Sequence, residues 1–451
     1  MQALPRLEPS SHPVYPLHRS GMLVRMTEPE SRLSRRLGTG DAVVLGLGAM
    51  IGTGVFVVWQ PAAERAANWL LAGLAVAAFV AFCNATSSAQ LAAVHPQAGG
   101  TYVYGRARLG AGWGALAGYA FVFGKIASCA AAAHAVGTYL WPDHSRIVAV
   151  AAAVLVTATN LAGVQRTARA TRWLVTVVAA VLVAVVAAGL TGADSAERQP
   201  LAVEVGINDV LGAAALLFFA FAGYARIATL GEEVRDPART IPRAVPLALA
   251  LVLLLYLAVG GTVLLVLGPG GAAEAARPIT AVVDKIGAGW LVPVATGAAA
   301  IAALAALLAL VAGISRTAFA MAAEADLPGP LAAVHPTRRI PHVAEIVVGI
   351  AVVGAVLAGG LVGALSFSAF AVLLYYAVTN AAALRLRSAE RRWPRWLAVA
   401  GLVSCLLLAA SLPWQTIALG VATLAVAMIG RAVSRRFRQP AAEPQPRSDG
   451  D

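Results

Sequence analysis

The chain has 451 residues, of which 59% are hydrophobic and 12% charged, and a formal net charge of +12. A soluble protein of this length carries roughly twice that charged fraction, so a soluble globular enzyme is excluded. A nucleic-acid binder is excluded as well, because it gathers its basic charge on one soluble face and no polar stretch here is long enough to form one. The expected class is an all-α polytopic membrane protein, with the lipid bilayer as its solvent.

Residues 1–37 read as a polar, proline-containing tail that is disordered and cytoplasmic. The first 25 residues lack the apolar core of a cleavable leader. Beyond them, stretches of about 20 apolar residues, the length that crosses the hydrocarbon core, recur along the chain. They predict about twelve transmembrane helices, at 41–60, 69–93, 112–141, 146–163, 172–192, 209–231, 244–268, 289–321, 342–360, 362–385, 396–412 and 414–432. A tail at 434–451 closes the chain and is also expected to be disordered.

The first span contains Gly46-Leu-Gly48-Ala-Met-Ile51-Gly52-Thr53-Gly54-Val-Phe56, with four glycines at mid-membrane depth. A helix in lipid must satisfy its own backbone. Such a cluster therefore marks either a helix unwound around a polar cavity or close packing through small residues, and spacing alone leaves both open. The sixth span has a second interruption, Phe218-Phe219-Ala-Phe221-Ala222-Gly223-Tyr224-Ala-Arg226. One glycine there is weak evidence, but interrupted helices at corresponding positions of two halves point to a site at the bilayer midplane.

The loops set the orientation. Arg106, Arg108, Arg166, Arg169, Arg172, Arg235, Arg239, Arg243, Arg338, Arg339 and the cluster between Arg385 and Arg395 fall in even-numbered loops, and Arg431, Arg435, Arg436 and Arg438 follow the last span. The positive-inside rule then puts both termini in the cytoplasm, which suits a multi-pass protein of the cell membrane. Outside, residues 278–285 read as a short amphipathic helix over the external mouth. Cys83, Cys129 and Cys405 lie in apolar segments without metal-ligand spacing, and the seven histidines are scattered. No metal site, cofactor or catalytic constellation is expected.

Several segments in order resemble the amino acid–polyamine–organocation (APC) superfamily of permeases over roughly residues 38–385. They are Gly48–Phe56, Phe218–Tyr224 with Glu232-Glu233-Val-Arg-Asp236-Pro237-Ala-Arg239-Thr-Ile-Pro242 after it, Gly99-Gly-Thr-Tyr102-Val-Tyr104, Ser315-Arg316 with Leu327-Pro328, and Tyr375-Tyr376-Ala-Val-Thr-Asn380. The resemblance implies a 5+5 inverted repeat (38–192 and 208–385), helices 1 and 6 discontinuous, and two additional helices at 395–433. It also implies alternating access to a central amino acid site. By similarity, the backbone of Gly52, Thr53 and Gly54 binds the substrate carboxylate, since exposed N–H groups at a half-helix N-terminus favour an anion. Carbonyls around Ile51, Phe219 and Ala222, beside Gly223, receive the ammonium. Phe219, Phe221 and Arg226 are expected to gate the site.

Lys125 lies near the middle of span three, where an ammonium costs on the order of 3 kcal/mol unless it faces water or a partner. It reads either as a proton-titrating group beside the site or as a structural lysine bonded to carbonyls of span six or eight. His134, nine residues on, reads as a satisfied bundle histidine. The pattern departs from sodium-coupled relatives, because residues 297–312 of span eight carry no hydroxyl to help ligate the ion. Proton coupling or sodium-independent exchange is therefore expected, in a monomer or homodimer. The alternatives are an exchanger of amines or polyamines within the same superfamily and, from another class, a non-transporting sensor or channel.

Overall fold

The computed structural model describes residues 38–95, 99–163, 168–193, 199–201, 204–224, 227 and 234–438. The expected N-terminal tail, Ala225, Arg226, Glu232, Glu233 and most of the expected C-terminal tail lie outside them. Among the described residues regular structure is helical. Ten helices among the described residues are long and apolar enough to cross a membrane, and two shorter apolar helices accompany them.

The first span is built from α1 (Thr39–Met50), α2 (Gly54–Val57) and α3 (Trp59–Ala66), after which Ala67, at φ 44°, turns the chain into α4 (Leu70–Val94). A loop helix α5 (Thr101–Leu109) precedes α6 (Ala111–Leu140), α7 (Ser145–Leu161) and α8 (Ala168–Gly192), the third to fifth spans. The second half follows as α9 (Ile207–Phe221), α10 (Pro237–Glu274), the short α11 (Pro278–Lys285), α12 (Val292–Ala323), α13 (His342–Ala358) and α14 (Leu361–Leu384). Helices α15 (Arg395–Ala410) and α16 (Trp414–Arg438) complete the chain. The helix of the last span runs past the expected boundary at 432.

The packing partners show a repeat. Adding five to a span number converts one contact into another: one on seven becomes six on two, three on ten becomes eight on five, and two on ten becomes seven on five. Likewise six on ten becomes one on five, and three on four becomes eight on nine. Spans one and six, two and seven, three and eight, and four and nine each pack on their own counterpart. The first and sixth spans are thus equivalent places in two similar halves. Helix α15 covers α14 and α4, and α16 lies against α14 and α6.

Span seven is longer than its expected 244–268. Its helix continues beyond a kink at Gly268 (φ 71°), before Pro269, where a Cβ would fall 2.5 Å from Gln199 O. Gln199 N–H bonds Leu267 O, and Gly270 N–H bonds Gln199 O, so the incoming segment 199–201 takes up backbone groups freed by the kink. The expected short helix at 278–285 is present as α11. Ile279, Val282 and Val283 are fully buried, and the helix rests on α2, α8, α10 and α12.

Candidate functional site

Helix α1 stops at Met50. Ile51 has φ −78° and ψ 61°, outside the helical range, and Gly52 N–H turns back to Met50 O at 2.8 Å. Helical bonding resumes with Phe56 N–H to Thr53 O and Val58 N–H to Gly54 O, both 3.1 Å. Three amides fall between these two bonding patterns. Among the described residues the Thr53 N–H has no hydrogen-bond partner, and Gly54 and Val55 open α2, where the first N–H groups of a helix have no acceptor within it. The Thr53 hydroxyl, on a residue only 4% exposed, has none either. A buried polar group without a partner costs about 1–3 kcal/mol, so this cluster of donors is poised for an acceptor.

The second break abuts the first. Helix α9 ends at Phe221 and tightens into a 3-10 turn over Ala222–Tyr224. A Cβ on Gly223 would collide with the carbonyl of Ala49, and one on Gly54 would lie 2.6 Å from Ala220 Cα. These two glycines are the contact through which the interrupted helices cross. Gly48 packs on Thr171 and Val175 of α8 instead, and Gly52 faces the methyl group of Ala306 on α12 with room for ordinary contact. The even choice between unwinding and packing thus resolves differently along one run: packing at Gly48 and Gly54, unwinding at Ile51–Thr53.

Tyrosines from three other spans serve the freed carbonyls. The Tyr256 hydroxyl of α10 lies 2.8 Å from Met50 O and 3.1 Å from Ala220 O, spanning both breaks. Tyr139 of α6 donates to Phe56 O at 3.0 Å, and Tyr376 of α14 to Ala222 O at 3.4 Å. Tyr376 also stacks on Tyr224 and meets Phe218 edge-on. The sequence reading gave none of these hydroxyls a role. For Tyr256 the signal is a lone tyrosine in the leucine-rich run of span seven, and Tyr376 lies in the Tyr375–Asn380 segment already noted.

The expected aromatic gates differ in freedom. Phe219 is half-buried, whereas Phe221 is fully buried with its ring edge-on to Tyr256 at 5.1 Å. Phe219 O already accepts the Ala222 N–H, and the Ile51 carbonyl has no partner among the described residues. Arg226 lies outside the described residues. Lys125 is partly exposed and makes no hydrogen bond or ion pair among the described residues. A bond from Lys125 to a carbonyl of span six or eight is thus not present among them. It stands seven residues beyond Gly118, which meets Met321 of α12, and residues seven apart share a helix face. His134 Nε2 lies 3.1 Å from Gly359 O, the expected bundle contact.

The ion pairs gather elsewhere, at the end of the bundle carrying the arginine-rich loops. Ala325, at φ 57°, turns Asp326 inward, and its carboxylate is fully buried. Asp326 pairs with Arg106 of α5 at 2.8 Å and with Arg431 and Arg435 of α16 at 2.6 and 2.9 Å, and Tyr102 donates to it at 2.8 Å. Tyr119 of α6 bonds its main-chain oxygen. Nearby, Arg108 forms a two-pronged pair with Glu390, at 3.1 and 2.9 Å, while its Nε donates to His95 at 2.9 Å. The Arg108 bonds hold the Glu390 carboxyl down at about 2. Burial, helped by Arg108, lowers His95 below its usual value. No group of three or more metal-ligating side chains occurs among the described residues.

Two interrupted helices crossing at mid-bundle, with free backbone donors on one side and tyrosine-shared carbonyls on the other, define a polytopic helical carrier for a small polar solute. The comparisons agree with that class. The amino acid permease family matches residues 41–434, and the chain belongs to this family. It is 52% identical over 412 residues to an uncharacterized transporter of Mycobacterium tuberculosis, covering 90% of this chain and 94% of that one. It is also 28% identical over 349 residues to the branched-chain amino acid permease of Bacillus subtilis, covering 71% and 74% of the two chains. The methylthioribose transporter of the same organism is 27% identical over 351 residues, with the same two coverages. The chain is a transporter of an amino acid permease family and not an enzyme.

Proposed function

We propose that this permease carries neutral amino acids with apolar side chains, leucine among them, by alternating access around the crossing of spans one and six. The observation that carries the reading is the unpaired N–H and hydroxyl of Thr53 at the start of α2, whose opening amides at Gly54 and Val55 have no acceptor within the helix. An α-carboxylate accepts from those donors, which the partial positive charge at the start of α2 also favours. The ammonium faces the Ile51 carbonyl and the Met50 and Ala220 carbonyls that share Tyr256. The side chain lies toward Ala306 and Phe219, where the described residues that the contacts name bring no carboxylate to neutralise a cationic substrate. Phe219 rather than Phe221 is the gate, because only Phe219 retains freedom to move.

Lys125 supplies the coupling group. An ammonium in the bundle without a partner exchanges its proton according to which side of the membrane wets it, and residues 297–312 of span eight offer sodium no hydroxyl. Transport is proton-coupled and sodium-independent. The distribution of arginines puts both termini in the cytoplasm of a cell-membrane protein. Counterflow of labelled leucine in proteoliposomes, with and without sodium, tests the reading. Saturable uptake indifferent to sodium is the expected result, and absence of counterflow for leucine and other apolar amino acids would overturn it.

A further inference from the structure

At the far end of α3 from the break, a cavity of about 340 Å³ opens between α3, α9, α14 and the turn joining α15 to α16. Glu64 and Arg65 of α3 and Asp209 of α9 bring charge to its wall, and Leu216, Val362 and Pro413 bring apolar surface. Arg65 is partly buried. Its Nη1 donates to Ser411 O at 3.2 Å, and among the described residues it has no acidic partner within ion-pair distance. Asp209 uses one oxygen to accept the Gly206 N–H, and Glu64 lies 3.4 Å from Gln60 Nε2. Opposite charges on one cavity wall gain most by pairing. Here no such pair forms among the described residues, although the Arg65 guanidinium lies against Gly212 of α9, one turn from Asp209.

We propose that this cavity is a second, outer site for the amino acid zwitterion. It rests on the reading of the chain as a carrier of apolar amino acids. Arg65 takes the α-carboxylate in the geometry a guanidinium offers, Asp209 and Glu64 take the ammonium, and Leu216, Val362 and Pro413 take the side chain. The cavity volume lies within the range of small-molecule sites. From Gly54 to Arg65 the helix rises about 16 Å, so a molecule here does not touch the backbone donors at the break. Both places can be filled together. The outer site raises the local concentration of substrate over the crossing and selects for a zwitterion before the gate opens.

Equilibrium binding of labelled L-leucine to the purified full-length chain, paired with uptake in proteoliposomes, tests this. The wild type should bind two equivalents. Gly52→Leu, which fills the unwound segment, should keep one equivalent and lose transport. Arg65→Gln should keep one equivalent and raise the KM for uptake roughly tenfold, with the maximal rate unchanged, the loss expected for one charge-assisted contact. Arg65→Lys should recover part of that KM, which a purely structural role at Ser411 would not predict. A single equivalent in the wild type, abolished by Gly52→Leu and untouched by Arg65→Gln, overturns the outer site while leaving the transport reading standing. No leucine uptake and no binding overturns both.

Discussion

At Asp326 one buried carboxylate gathers two arginines of α16, one arginine of α5 and a tyrosine. At the crossing of spans one and six, the described residues form no ion pair at all, and the breaks are held by backbone amides, tyrosine hydroxyls and glycine contacts. The difference lies in energy scale. Breaking a buried ion pair by removing one partner costs about 3–5 kcal/mol, whereas a neutral hydrogen bond contributes only about 0.5–1.5 kcal/mol net. The first arrangement suits helices that stay together, tying the ends of spans three, eight and twelve. The second suits helices that exchange partners, as the proposed alternating access requires.

The largest expected effect breaks the rigid side of that contrast. Asp326→Asn leaves three arginines around a neutral amide and should destabilise the protein by about 3–5 kcal/mol, read as a lower melting temperature in detergent. Uptake per folded molecule should fall far less. Tyr256→Phe removes the hydroxyl shared by both breaks and leaves buried carbonyls unserved, a cost of about 1–3 kcal/mol. It should raise the KM for leucine at the same time, so that binding and stability move together at the crossing and separately at Asp326. Lys125→Ala removes an unpaired cation. It should leave the melting temperature unchanged or higher and flatten the pH dependence of uptake, and a retained pH profile would remove Lys125 from coupling.

The smallest effect concerns the Arg108 cluster. His95 titrates below its ordinary 6.5 because the neutral ring is favoured by burial and by Arg108. Its contribution is therefore full above 6.5 and is lost as pH falls through the lowered value. Glu390, held near 2 instead of 4.5, behaves in the same direction at lower pH, contributing above 4.5 and losing its effect toward 2. Melting temperature should decline modestly on acidification below 6.5, and His95→Gln should flatten that part of the curve.

The spans were legible because hydropathy is a local property, and ten of the helices meet the length it demands. The spans at 342–360 and 396–412 form helices of 17 and 16 residues, shorter than the rule of about 20. The glycine run and the interruption at Phe221–Gly223 marked the breaks, since a backbone fault is written in the residues that make it. Which glycine unwinds and which packs was not legible. Gly52 and Gly54 differ in what stands opposite, Ala306 at ordinary contact distance in one case and the Ala220 backbone in close approach in the other. Tyr256 meets Met50 across 206 residues, and Asp326 meets Arg435 across 109. Partnerships of that span leave no local pattern.

One consequence concerns the Tyr256 hydroxyl. It stands within bonding distance of two carbonyls, one from each interrupted helix, yet carries a single hydrogen to donate. At any instant one half of the molecule is served and the other is left wanting. The ammonium proposed above, arriving at the unserved carbonyl, would fix the tyrosine on its neighbour. On that proposal one phenol would work as a referee between the two halves, registering whether a passenger is aboard without needing a charge of its own.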